Sequence, residues 1–99
     1  VARKVTKSAG NVFEDLGFKG EEAESLRIRS DLMIALTKVI DYRGISQRQA
    51  ATLFGVTQPR ISDLVRGKID LFSIDTLVNM LAKAGAKVRV EVRPKRRVA

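Results

Sequence analysis

The sequence predicts an all-α bundle of four to five helices followed by one C-terminal β-strand. Three observations predict it. Apolar residues recur at helical spacing from residue 21 to residue 84. Glycine closes four successive periodic segments, at Gly44, Gly55, Gly67 and Gly85. The apolar period then shortens to two residues in "KVRVEVR". A chain of 99 residues is expected to form one modest core. With no Trp and 5% aromatic residues, that core should be aliphatic.

The elements follow in order. Residues 1–11 carry Arg3, Lys4, Lys7, Ser8, Gly10 and Asn11, which read as a basic, flexible arm. Val12, Phe13, Leu16 and Phe18 form a short helical turn punctuated by Gly17 and Gly20, its aromatics docking on the main body. Glu21, Glu22 and Glu24 then stand where a helix begins. Carboxylates there complement the positive end of the helix dipole, or they offer an acidic patch to a basic protein. A long helix should run from about Glu21 to Tyr42. Leu26, Met33, Leu36 and Ile40 follow its spacing, as do Ile28, Leu32, Ala35 and Val39.

Ser46 can cap a helix over Gln47–Phe54, and Thr57 one over Gln58–Arg66. Ser73 caps a further helix over Ile74–Ala84, with Phe72 and Leu77 placed as a hydrophobic staple. Val88, Val90 and Val92 then alternate with Lys87, Arg89, Glu91 and Arg93, the pattern of a half-buried strand that Pro94 stops. Lys95, Arg96 and Arg97 read as a solvated charge run. A lone strand leaves its backbone groups unpaired. Three partners could pair them: the same strand of a second copy, the sheet edge of another protein, or the chain's own residues 4–6.

Composition narrows the chemistry. The net charge of +8 points to a polyanionic partner, nucleic acid before membrane, although a merely soluble basic protein would share it. Without Cys there is no disulfide framework and no thiolate metal site. Without His the commonest general base and metal ligand are missing too. An enzyme built on this chain would rely on carboxylates or Lys, and these sit at helix starts or on solvated faces. No cofactor, no metal site and no enzymatic activity are therefore expected. No apolar run approaches the ~20 residues of a membrane span, and no signal-peptide pattern opens the chain, which fits a cytoplasmic binding protein.

The stretch "SQRQAATLFGVTQPRISDLVRG" meets the demands of a helix-turn-helix. Ala51 is small where the two helices must cross. Gly55, four positions on, can take the positive φ of the turn. Val56 should be buried between the helices, with Phe54, Ile61 and Leu64 closing the core. The outward face of the second helix is then Gln58, Pro59, Ser62, Asp63 and Arg66, with Arg60 near its edge.

Such a helix enters the major groove with its N-terminal residues at the base edges. Gln58 can bond adenine N6 and N7, Arg60 guanine O6 and N7, and Asp63 can accept from cytosine N4. Asp63 could equally pair with Arg60 or Arg66. Pro59 falls in the first helical turn, where its missing N–H has no intrahelical partner to lose. Its fixed φ stiffens the reading end. Gln47 can donate to phosphate with help from the helix dipole. Arg48, Arg66 and Lys68 are phosphate candidates by charge and position, and Thr57 is a cap able to touch phosphate. Residues 1–20 are then an arm and docking segment, 21–85 the DNA-binding body, and 86–99 the strand and basic tail.

Over residues 28–84 this pattern resembles the DNA-binding core of Xre or Cro/CI-type phage-repressor proteins, a lambda-repressor-like bundle. The serine-glutamine start, the Gly-Val-Thr turn, Ile-x-x-Leu and Arg-Gly-Lys carry the resemblance. It implies a homodimer on an operator, base contact by Gln58 and backbone contact by Gln47. Pro59 departs from the family, which often has a polar reading residue there. It cannot donate a hydrogen bond, so an apolar contact with a thymine methyl would replace one. The flanks "SAGNVFEDLGF" and "LAKAGAKVRVEVRPKRR" are similar to those of HigA-like antitoxins. That resemblance implies a small basic RelE-type toxin as a protein partner and repression of the chain's own operon. A stand-alone regulator of the same architecture is the alternative.

Overall fold

The structure, a computed structural model, describes residues 11–94. Among these, the chain forms α1 (Val12–Asp15), α2 (Gly20–Arg43), α3 (Gln47–Phe54), α4 (Gln58–Val65) and α5 (Ile74–Lys83), with a 3-10 turn at Ile69–Leu71 between the last two helices. Residues 1–10 of the basic arm and the Lys95–Arg97 tail lie outside the described residues, and Asn11, expected at the end of that arm, is instead the N-cap of α1.

The core is a single cluster to which every longer helix contributes one stripe. Met33, Leu36 and Ile40 come from α2, Ala50, Ala51 and Phe54 from α3, and Ile61 and Leu64 from α4. Phe72 and then Leu77, Met80 and Leu81 of α5 complete it. Burying each large side chain contributes roughly 1.5–3 kcal/mol. Leu32, Ala35 and Val39 pack on its margin, as the second spacing in α2 predicted.

At the other end of α2, Ala23 and Leu26 are buried where α1 packs. The Asn11 side chain accepts from Phe13 N at 2.9 Å and donates to the Ala23 carbonyl at 3.1 Å, so one residue caps α1 and ties it to α2. Phe13 and Phe18 meet edge to face, 6.2 Å between centroids.

Local chemistry sets the helix boundaries. Ser46 Oγ accepts from Gln49 N at 3.1 Å while Ser46 N donates to Gln49 Oε1 at 2.9 Å, a reciprocal capping box. Ser73 accepts from Thr76 N at the start of α5. At the end of α3, Gly55 takes φ 72°, and the next amide, Val56 N, turns back to the Ala51 carbonyl at 3.0 Å. That left-handed step costs a side-chain-bearing residue roughly 1–2 kcal/mol. The same reversal closes α4 through Lys68 N and the Asp63 carbonyl at 3.0 Å.

The C-terminal strand is corrected. Residues 86–94 hold no strand and no other regular element. Among the valines expected to share one buried face, only Val88 packs on the core, while Val90 and Val92 are 79% and 86% exposed. The reason is the one that makes strands differ from helices. A strand exists only as one side of a ladder, and residues 87–94 make no backbone hydrogen bond to another described residue.

Candidate nucleic-acid interface

The helices α3 and α4 are joined by the three residues Gly55, Val56 and Thr57, within the usual length for a helix-turn-helix. Ala50 and Ala51 are both buried at the crossing, and Phe54, Ile61 and Leu64 are almost fully enclosed. Val56 is only half-buried, less than its spacing suggested. Thr57 has the extended backbone of a helix N-cap, and its carbonyl accepts from Arg60 N at 3.1 Å and Ile61 N at 3.3 Å. Its hydroxyl makes no capping bond, unlike Ser46 and Ser73, so that oxygen is left for an external donor or acceptor.

With Ile61 and Leu64 turned inward, the 100° step of an α-helix aims Pro59, Ser62, Asp63 and Arg66 away from the core. Gln58 and Arg60 flank that face. Gln58 and Pro59 are exposed in the first turn of α4, Ser62 and Asp63 are half-buried, and Arg66 is exposed beyond the last turn. Gln47 and Arg48 are exposed in the first turn of α3. Arg48 and Arg66 make no ion pair with another described residue, so both cations face solvent uncompensated.

Two expected reading residues already have partners. The Arg60 guanidinium carbon stands 4.8 Å from the centroid of the Phe72 ring, a cation–π contact with a side chain that is only 1% exposed. Arg60 therefore lies along the margin of the face, its plane supported from below. Asp63 pairs with Lys68 at 3.8 Å, not with Arg60 or Arg66. The pair is partly exposed, and such contacts contribute at most about 1 kcal/mol. DNA could compete for either member.

Two supporting residues, Arg29 and Gln49, and the second role of a third, Phe72, emerge from the structure. Phe72 was visible as a staple, but its role as a shelf for Arg60, twelve positions earlier, has no local signal. Arg29 of α2 donates to the Ile69 carbonyl at 3.3 Å and so ties the 3-10 turn that carries Phe72 to the long helix. Gln49 had a legible signal, since Ser-x-x-Gln before an apolar run is the capping-box spacing.

Among the described residues, no group of three or more carboxylates, Cys or His is placed to hold a metal ion. None of the described helices is long and apolar enough to cross a membrane.

Comparison with known proteins agrees with this geometry. Residues 12–93 match the helix-turn-helix domain family. An uncharacterized HTH-type transcriptional regulator of Haemophilus influenzae is 34% identical over 80 residues, covering 81% of each chain. A solved structure described as an XRE-family transcriptional regulator is 33% identical and superposes with a TM-score of 0.71, covering 79% of this chain and 91% of the other.

Proposed function

This chain belongs to the XRE family of helix-turn-helix transcriptional regulators, and on that premise we propose that it is a sequence-specific repressor that binds its operator as a homodimer and acts by covering the promoter. The observation that carries this reading is the first turn of α4. There Gln58 and Pro59 stand exposed on a helix whose other face is locked into the core. Gln58 reads an adenine edge, and Pro59 presents a rigid apolar step beside it. Ser62 and Asp63 lie one turn further along the same face. Arg60, steadied on Phe72, reaches guanine from its margin. Gln47, Arg48, Thr57, Arg66 and Lys68 contact phosphates, so binding weakens steeply as salt rises.

The test is Gln58→Ala, measured by titration on the selected operator and on random DNA. The expected outcome is a loss of roughly 1–3 kcal/mol on the operator, with relaxed preference at one base pair. An equal loss on both DNAs removes the base-reading role.

A protein partner is a finer reading with its own support. Val12 on α1 and Leu16 just beyond it are 60% and 69% exposed, and the exposed carboxylates Glu14, Asp15, Glu21 and Glu22 lie close to them in sequence. Exposed apolar side chains in an acid-rich stretch suit a basic protein such as a RelE-type toxin. In that case the chain is an autoregulating antitoxin. Co-expression with the reading frame next to its gene separates the two: a stable complex supports the antitoxin, and a regulator that purifies alone supports the stand-alone form.

A further inference from the structure

We propose that residues 87–93 pair antiparallel with the same residues of a second copy, about a two-fold axis through Val90. The proposal rests on the homodimer reading above and specifies which surfaces meet and in what register.

The segment is poised for a partner. Val88 is seated on the margin of the core, whereas Val90 and Val92, two and four residues on, are among the most exposed apolar side chains described. The apolar surface is therefore continuous from the core out along the segment. Its backbone donors and acceptors from residue 87 onward are unused among the described residues. Pro94 limits the ladder, because it has no N–H to give.

The sequence selects one register. In an antiparallel pair, directly opposed residues point to the same face. An axis at Val90 sets Val90 against the partner's Val90 and Val88 against the partner's Val92, gathering all six valines on one side. On the other side, Arg89 meets the partner's Glu91 twice. Opposed charges across a pair are favourable and like charges are not. The like-charged Lys87 and Arg93 meet only at the ends, where water screens them, and Glu91 already holds Arg93 at 3.0 Å.

The competing registers are worse. A shift by one residue puts every valine opposite a charged residue. Moving the axis to Arg89 or Glu91 sets that residue against itself at the centre, and either shift leaves valines unmatched. Parallel in-register pairing would stack every charge on its own kind. The anchored Val88 matters as well. A free two-stranded ribbon is marginal in water, and this one would rest its valine face on the edges of two cores.

Charge reversal tests the register. Arg89→Glu opposes two glutamates across the ribbon and Glu91→Arg opposes two arginines, while the double variant restores both pairs in reverse. Sedimentation of each full-length protein, with circular dichroism to confirm its helices, reads the dimer dissociation constant. Each single variant should weaken the dimer roughly tenfold or more, and the double variant should recover most of that loss.

A second measurement uses the absence of native cysteine. Val90→Cys should give a covalent dimer on mild oxidation, whereas Tyr42→Cys, at a site 93% exposed, should not. Single variants that dimerise like the native chain, or a double variant that fails to recover, would overturn the pairing. If the native chain is still a dimer on its operator, the repressor reading survives that result. A native chain that binds its operator as a monomer overturns both.

Discussion

Two segments carry clear hydrophobic periods, Ser46–Arg66 and Lys87–Arg93, and they meet different fates. The first becomes a helix-turn-helix whose inward residues Ala50, Ala51, Phe54, Ile61 and Leu64 are enclosed by its own chain. The second leaves Val90 and Val92 in water and forms no element among the described residues. The difference lies in where each structure finds its hydrogen bonds. A helix pairs its backbone within four residues and needs the tertiary fold only to cover one stripe. A strand needs a neighbour before it has any structure at all. A clean period therefore predicts an element only when the element's partners are local.

The largest test of this contrast is Phe54→Ala against Val90→Ser. Phe54 is 2% exposed at the centre of the cluster, so its truncation should cost about 3–5 kcal/mol in urea unfolding. Val90→Ser should change the stability of the monomer by no more than about 0.5 kcal/mol at concentrations too low for dimers. A comparable loss from both would mean that the C-terminal segment belongs to the monomer core after all.

Ser46→Ala sharpens the contrast from the helical side. It removes the side-chain half of the capping box while leaving every core contact in place. Thermal unfolding should show a loss of about 1 kcal/mol. No change would mean that α3 is held by packing alone.

The smallest effect is on the solvent face of α2. Arg27 grips Glu24 at 2.6 Å and Asp31 at 3.2 Å. The hydrogen bond from Arg27 holds the Glu24 carboxyl below its ordinary value, against a small opposing effect of burial. A carboxyl lowered by folding stabilises the native state at neutral pH, and that gain disappears as the pH falls through its folded-state value. The Glu24 side chain is 58% exposed, so solvent screens the pair to about 0.2–0.5 kcal/mol. Glu24→Gln should lower stability by that amount at pH 7 and leave it unchanged well below pH 4. A full loss that persists in acid would assign the effect to something other than charge.

Much of the fold could be read directly. The cap and glycine positions placed all four longer helices to within a residue or two, because capping bonds and left-handed turns join residues close in sequence. The inward residues of α2 and α4 followed from period alone. The candidate site was half legible. Helical geometry at Ile61 and Leu64 settles which side chains of α4 face outward, but not what those side chains already touch.

Determined by the sequence itself, then, are the helix boundaries, the Gly55 turn and the polar face that carries Gln58 and Pro59. The tertiary structure alone decided that Arg60 lies on Phe72, that Asp63 is matched by Lys68, that Arg29 holds the Ile69 turn, and that the valine ladder remains unpaired within the described chain. The first group depends on interactions spanning about four residues, which the chain carries with it wherever it goes. Most of the second depends on elements brought together by burial of a shared core, and no local pattern encodes which neighbours that burial selects.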